Sequence, residues 1–185
     1  SGKMGYALAE AALLLGANVN LISGPVTIKA PTGVNLINIE SAEQLLNEAL
    51  IYAPQSDAFI GCAAVADYRA AEVATQKMKK QGDELTLTLV KNPDVIAAVA
   101  NIKHNRPYTV GFAAETQNVE SYAKGKLVNK NLDMICANDV SLSGLGFNSD
   151  QNALTLYWQN EQLELAVNSK TEIALKVIEQ LAKHL

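Results

Sequence analysis

Apolar and polar positions along the 185-residue chain follow two alternating rhythms. From Gly2 to Gly16, Met4, Ala7, Leu8, Ala11, Ala12 and Leu15 recur at three- and four-residue spacing, which predicts a helix that Gly16 can cap. Val19–Ser23 (VNLIS) reads as a strand ending in the turn Ser23-Gly24-Pro25, and Val34–Ile39 reads as a second strand. Ser41 opens a helix to about Tyr52, with Glu43 and Gln44 in its first turn. Asp57–Cys62 is almost continuously apolar, as in a strand covered on both faces.

The segment Ala66–Glu84 breaks this rhythm. It is polar, carries Lys77, Lys79, Lys80 and the turn Gln81-Gly82-Asp83, and reads as an excursion from the core. Leu85–Val90 (LTLTLV) then alternates as a strand. Asn92-Pro93-Asp94 opens a helix running through Lys103, with Pro93 in its first turn. Tyr108–Ala113 and Asp133–Ala137 read as strands flanking a helix at Asn118–Lys130. Leu154–Trp158 and Gln162–Val167 predict a hairpin around Asn160-Glu161, and Ser169–Leu185 a closing helix with Ser169 and Glu172 spaced as a capping box.

Strands alternating with helices predict an α/β fold with a mostly parallel sheet. There is no repeat and no linker, so residues 1–185 read as one domain. The beginning is abrupt. A helix opening on Ser1-Gly2-Lys3 normally follows a strand and a phosphate-binding turn, so the expectation is a fragment or a cleaved longer chain.

Composition narrows the function classes. With 49% hydrophobic residues the chain can bury a core, which excludes a disordered or low-complexity polymer. A formal net charge of −4 argues against broad electrostatic capture of nucleic acid. No apolar run approaches the ~20 residues of a membrane span. Cys62 and Cys136, each read as ending an apolar strand, are too few for a disulfide framework and fit buried free thiols in a reducing cytoplasm. His104 and His184 cannot build a His-rich metal site.

Several segments carry features suited to anions. Ser1-Gly2-Lys3-Met4-Gly5 lies at a helix start, where free N–H groups favour an anion, although a packing glycine explains it equally well. Gly61-Cys62-Ala63-Ala64-Val65-Ala66-Asp67-Tyr68 follows a strand end, where open α/β sheets bind ligands and small residues can floor a pocket. Asp67 is a candidate ligand for Mg²⁺ or a ribose hydroxyl, or a simple turn carboxylate. Lys77-Met78-Lys79-Lys80 can close over a phosphate or remain a solvated run. Asn92-Pro93-Asp94-Val95 is another helix start. Phe112, within Gly111-Phe112-Ala113-Ala114-Glu115-Thr116, can meet a nucleobase or fill core. Lys126 and Lys130 form an i,i+4 pair that, with Lys124, meets either solvent or a nucleotide. Their convergence on successive strand ends supports a nucleotide site.

Taken in order, SGKMG (1–5), SGPV (23–26), GCAAVADYR (61–69), KMKK (77–80), KNPD (91–94), GFAAET (111–116), KNLDMICANDV (130–140) and GFNSD (146–150) closely resemble the phosphopantothenoylcysteine synthetase domain of the bifunctional bacterial coenzyme A biosynthesis flavoproteins. The resemblance covers essentially the whole chain. It implies a Rossmann-like three-layer sandwich with a lysine-bearing flap and a C-terminal β-hairpin. It also implies a cytoplasmic ligase using CTP with Mg²⁺ and no flavin in this domain. In that family 4′-phosphopantothenate attacks the α-phosphate of CTP, and the cysteine amine then displaces CMP from the acyl-cytidylate.

Carried over by motif, Gly61, Cys62 and Ala63 contact the nucleotide through backbone, and Asp67 lies by the ribose or the metal. Lys77 is the catalytic flap lysine. Pro93, Asp94, Val95 and Ile96 supply the helix start at the phosphates, and Phe112, Lys126 and Lys130 complete the CTP site. Ser1 and Gly2 face phosphate or substrate. The resemblance further implies a homodimer with its site near the subunit interface, fused to a flavin-dependent decarboxylase, without nucleic-acid or membrane partners.

One departure stands out. The family's asparagine that handles the acyl-cytidylate lies three positions before the serine matching Ser1, outside this sequence, as are the first strand, its turn and the decarboxylase half. The expectation is that these residues recognise CTP but turn over poorly. Two alternatives compete. A short-chain NAD(P)-dependent oxidoreductase is suggested by GYALAEAALLLGANVNLISG and by Tyr122-Ala123-Lys124-Gly125-Lys126, although its glycine fingerprint is not visible. The other is a nucleotide-binding module without turnover.

Overall fold

The computed structural model describes residues 1–79, 82, 84–141 and 149–185. Its elements run α1 (Lys3–Leu14), β1 (Asn20–Ser23), β2 (Asn35–Asn38), α2 (Ala42–Tyr52) and a 3₁₀ turn (Ala53–Gln55), then β3 (Ala58–Gly61). They continue with β4 (Tyr68–Ala70), β5 (Leu89–Lys91), α3 (Val95–Ala100), β6 (Tyr108–Glu115), α4 (Val119–Asn129) and β7 (Met134–Asp139). The hairpin β8 (Gln151–Trp158) and β9 (Glu161–Ser169) leads into α5 (Lys170–Ala182).

The central sheet has the order β3-β6-β7-β8-β9. β3, β6 and β7 are parallel, β8 reverses and β9 reverses again, so every strand but β8 runs the same way. β1 and β2 form a separate parallel pair, and β4 and β5 an antiparallel ribbon.

Side-chain alternation on this sheet explains the three layers. On β7, Met134 and Cys136 face a core with Val110, Leu156, Trp158 and the inner faces of α1 and α5. Ile135 and Ala137 face the other way, toward Ala123 and Leu127 of α4. Ala49 and Ala53 pack with Val95 and Val99, seating α2 and its following turn on α3. Met134 and Ile173 are fully buried, so truncating either to Ala would cost ~2–5 kcal/mol.

Helix starts follow the capping residues. Ser41 Oγ accepts from Gln44 N at 3.1 Å while Gln44 Oε1 accepts from Ser41 N at 3.1 Å, a reciprocal capping box. At α5, Ser169 Oγ accepts from Glu172 N at 3.2 Å, but the Ser169 amide is taken by Asn168 Oδ1 rather than by Glu172. The expected box is therefore half formed by Asn168.

Other boundaries moved for local reasons. Leu85–Thr88 stays outside any strand; only Leu89–Lys91 pairs, because its partner β4 is three residues long. Asp94, not Asn92, caps α3, which leaves Pro93 just before the helix instead of in its first turn. The helix stops at Ala100, whose carbonyl accepts from Arg106 Nε and Asn131 Nδ2, well short of Lys103. The hairpin turns at Gln159-Asn160, with Gln159 at φ 47°, one residue earlier than expected. β3 is a sheet edge and only half-buried, so its apolar run does not signify cover on both faces. Cys136 sits within β7 rather than at its end. Lys80, Gln81, Asp83 and residues 146–148 of the GFNSD motif lie outside the described residues.

Candidate functional site

The C-terminal ends of β3, β6 and β7 share one sheet edge, and α1 begins against it. A Cβ on Gly5 would lie 3.9 Å from Cys62 Cβ, so the start of α1 packs directly on the residue after β3. Gly2 adopts φ 75°, and a Cβ there would come within 2.9 Å of Val26 Cγ1. Backbone freedom and close approach both require glycine at this position. Ser1, beside it, is exposed at the start of the chain.

Gly61 and Gly111, paired across β3 and β6, clear a bed for Ile96. A Cβ on Gly61 would lie 2.7 Å from Ile96 Cδ1, and one on Gly111 3.3 Å from the same atom and 2.7 Å from Leu132 Cδ1. The start of α3 is thus pressed onto the strand ends. Val95 is buried among Ala49, Ala53 and Val99, so its side chain serves packing and only its backbone faces the edge. Pro93 and Ile96 are half-buried and Ala63 is exposed.

Asp67 is joined to this helix start through its backbone: its carbonyl accepts from Asn92 N at 2.8 Å, and Asn92 Nδ2 donates to Ala66 O at 2.8 Å. The Asp67 residue is exposed. Arg69 braces the arrangement, with Nη1 donating to Lys91 O and Asn92 Oδ1 and Nη2 2.5 Å from Glu43 Oε1.

Lys126 and Lys130 reach the same edge from α4, each held by a carboxylate. Lys126 Nζ lies 2.5 Å from Glu115 Oε1 at the end of β6, and Lys130 Nζ lies 2.9 Å from Asp94 Oδ2. Lys124 turns elsewhere, to Glu120 and to the Tyr157 ring. Phe112 is half-buried and packs against the main core. Lys77 lies on the long excursion between β4 and β5, exposed, with no hydrogen bond or ion pair to the other candidates among the described residues. Residues 1, 2, 61–63, 67, 93–96, 126 and 130 therefore lie around one edge, whereas Phe112 turns into the main core and Lys77 is joined to none of them among the described residues.

Burial disfavours the thiolate at both cysteines: it pushes the Cys62 thiol up to about 12, opposed by the Lys170 ammonium, and it raises Cys136 as well. Their contribution is packing. Across the start of α1, Lys3 Nζ meets Asp150 Oδ1 at 2.6 Å and holds that carboxyl below the usual range. Burial and the nearby Lys3 ammonium lower the pKa of Lys170.

Glu43, Arg69, Asn92, Glu115 and Asp150 had no role assigned from sequence. Arg69, Asn92, Glu115 and Asp150 do stand inside the quoted motifs, which was a usable signal. Glu43 had none beyond its place in a helix's first turn. A concavity of about 540 Å³ lies at the opposite sheet edge, by Arg106, Tyr108 and His184, and one of about 470 Å³ lies between α1 and the start of α5. Neither has Gly61–Asp67 in its lining. Among the described residues no three His, Cys, Asp or Glu side chains converge to hold a metal. No helix among them is long and apolar enough to cross a membrane.

The fold is a three-layer α/β sandwich in which Gly61 and Gly111 make room for Ile96 and Leu132 and two lysines reach toward the start of α3 and the end of β6. The family model "DNA/pantothenate metabolism flavoprotein C-terminal domain" matches residues 1–185, and the chain belongs to that family. It is 54% identical over 183 residues to the coenzyme A biosynthesis bifunctional protein CoaBC of Vibrio vulnificus strain YJ016, covering 98% of this chain and 46% of the relative. Against the CoaBC of Escherichia coli K12 it is 52% identical over 184 residues, covering 98% and 45%. The chain thus spans slightly less than half the length of these relatives.

A crystal structure of a CoaBC C-terminal domain superposes with a TM-score of 0.81 at 37% identity, covering 98% of this chain and 81% of that one. A Cab2 H337A mutant in complex with phosphopantothenate-cysteine shares the fold, with a TM-score of 0.75 at 13% identity over 98% of this chain and 78% of that one. Family membership displaces the oxidoreductase reading. Its Tyr122 is exposed and its Lys126 is engaged by Glu115.

Proposed function

We propose that residues 1–185 form the single CTP-binding ligase domain of a phosphopantothenate–cysteine ligase. The reaction joins 4′-phosphopantothenate to L-cysteine with release of CMP and pyrophosphate. The observation that carries this reading is the gathering of Gly61, Asp67, Pro93–Ile96, Lys126 and Lys130 around one sheet edge, in a chain 54% identical to the CoaBC of Vibrio vulnificus over 183 residues.

In the first step a carboxylate oxygen of 4′-phosphopantothenate attacks the α-phosphorus of CTP, and the bond to pyrophosphate breaks. In the second, the cysteine amine attacks the acyl carbon, CMP leaves with the bonding pair, and the amine gives up a proton. Such chemistry rests on positioning and charge neutralisation. Backbone of Gly61–Ala63 and Pro93–Ile96, together with Ser1 and Gly2, orients the nucleotide and phosphates. Lys126 and Lys130 supply fixed donors to the base or phosphates, and Phe112 backs the base. Lys77, on an exposed excursion, closes over the α-phosphate and neutralises charge that develops there.

A lone exposed carboxylate, Asp67, fits Mg²⁺ carried in on nucleotide phosphates better than a resident metal cage. Bound there, Mg²⁺ would neutralise phosphate charge. The reading assigns no flavin to this domain and places the protein in the cytoplasm. In the longer protein it would be fused to a decarboxylase domain. It also includes a homodimer, which the exposed apolar side chains Tyr68, Val73, Leu85, Leu87 and Leu89 in and around the β4–β5 ribbon support.

Calorimetric titration of CTP, ATP and NADPH, each with Mg²⁺, tests the reading, followed by pyrophosphate release from a chain extended upstream to the relatives' length. Selective CTP binding, with release dependent on 4′-phosphopantothenate, is expected. NADPH binding without CTP binding would overturn it. CTP binding without release in the extended chain would make this a non-catalytic nucleotide module.

A further inference from the structure

We propose that Asn92, locked by Arg69, is a positioning residue that fixes the 62–67 loop, and Asp67 with it, against Pro93–Ile96. This rests on the nucleotide reading above. Between β3 and β4, residues 62–67 have no ladder to define their path. Asn92 supplies two bonds in its place. Its backbone N–H donates to Asp67 O at 2.8 Å, and its side-chain Nδ2 donates to the adjacent Ala66 O at 2.8 Å. One residue therefore grips two consecutive carbonyls and can do so in only one orientation of its amide.

That orientation is set from behind. Arg69 Nη1 donates to Asn92 Oδ1 at 3.2 Å and to Lys91 O at 3.0 Å, and Nη2 pairs with Glu43 Oε1 at 2.5 Å. With its oxygen facing a guanidinium, the Asn92 amide cannot flip without losing a charge-assisted bond. Glu43 stands on α2, which packs on α3, so the clamp ties loop, ribbon and helix start to the body of the sandwich. Arg69 and Glu43 are 41% and 60% exposed, so replacing either strands no buried charge. The clamp's effect is on the loop's position more than on global stability.

Titrating CTP into the 185-residue chain and its Asn92→Asp, Arg69→Met, Arg69→Lys and Asn92→Asp/Arg69→Met variants tests this. Asn92→Asp keeps an oxygen for Arg69 but sets a carboxylate oxygen against Ala66 O. Affinity for CTP should fall about tenfold in Asn92→Asp and in Arg69→Met, the typical effect of one or two lost hydrogen bonds. The double variant should be no weaker than the worse single one, since both break the same unit. Arg69→Lys should recover part of the loss, and thermal midpoints should stay within a few degrees of the parent. Unchanged affinity in the single variants, or additive losses, would overturn the clamp while leaving the nucleotide reading intact. Absence of CTP binding by the unsubstituted chain would overturn that reading and the clamp's role together.

Discussion

Asp94 holds Lys130 and the first turn of α3 with a single carboxylate: Oδ2 lies 2.9 Å from Lys130 Nζ, and Oδ1 accepts from Ala97 N at 3.2 Å. The pair couples the rotamer of the lysine that caps the C-terminus of α4 to the start of α3. Lys130→Met should weaken CTP binding about tenfold with little change in stability, because the pair is partly exposed and such pairs contribute ~1 kcal/mol or less. Asp94→Ala should also lose the helix cap, ~1 kcal/mol. Calorimetry and thermal melts on the two variants would separate these effects.

Gly61→Ala should be harmful for a reason that a neighbour can relieve. The new methyl would meet Ile96 Cδ1 at 2.7 Å and Cγ1 at 3.3 Å, forcing Ile96 off its bed. A loss of ~1–3 kcal/mol is expected from such overpacking. Adding Ile96→Val should return part of it, as the methyl nearest the clash is removed. Urea unfolding of the single and double variants measures both, and simple additivity would show that the contact is not the cause.

Lys77→Gln tests the assignment furthest from the rest of the set. In a chain extended upstream, cytidylate formation should fall by orders of magnitude, since removing one transition-state donor typically costs ~3 kcal/mol. CTP affinity should change far less, because the flap acts after binding. Pre-steady-state pyrophosphate release, compared with calorimetric binding, distinguishes the two effects.

The protein should lose stability at alkaline pH. Burial raises Cys62 from 9.0 to about 12, and burial with the neighbouring Asp133 raises Tyr108 from 10.0 to about 12. Above pH 9 the unfolded chain releases these protons first, so it is favoured increasingly until the folded values are reached, near pH 12. A fully shifted thiol contributes at most ~1.4 kcal/mol per pH unit over that window. Between pH 9 and 11 the parent should lose thermal midpoint relative to Cys62→Ala, against the opposite trend that the depressed Lys170 gives both proteins. Iodoacetamide at pH 7.5 should leave both thiols unlabelled until the chain is denatured.

Acid should act through a different group. Lys3 holds Asp150 below 3.8, so the pair's contribution is present above the unfolded carboxyl value and is lost as pH falls through the lower folded one. Asp150→Asn should remove that acid sensitivity. It should also deepen the depression of Lys170, whose charge Asp150 supports against burial and Lys3. The variant should therefore carry the Lys170 penalty at every pH below the depressed lysine value, with relief only as pH rises toward the ordinary lysine range. Thermal midpoints across pH 3–10 would show both limbs.

Elements with a local code were legible in the sequence. Ser41 and Gln44 defined α2, and the apolar period of residues 4–15 defined α1, because caps and helical stripes are properties of neighbouring residues. Leu85–Thr88 has an equally clear alternating pattern but belongs to no strand among the described residues, with Thr88 O accepting from Ala71 N, because pairing depends on distant backbone. Glycines and lysines marked candidates in the sequence, yet the hydrogen bonds that join Arg69, Asn92 and Glu43 were not visible there. Arg69, Asn92 and Glu43 matter through geometry that brings them together from separate elements, and Glu43 lies outside every motif. Asp94 drew notice as a helix start, while its hold on Lys130 became visible only with α4 in place.

The parallel lie of α1 and α5 has a practical consequence. Both helices start at one end, where Lys3, Asp150 and Lys170 meet, and α5 then runs 13 residues away, about 20 Å. Leu185 ends up beside Tyr108 and His184, on the far rim from the strand-end glycines. A biotin or resin handle joined there would leave the nucleotide edge facing solution, whereas one joined at Ser1 would crowd it. Surface-based binding measurements on this chain should therefore be tethered by the tail.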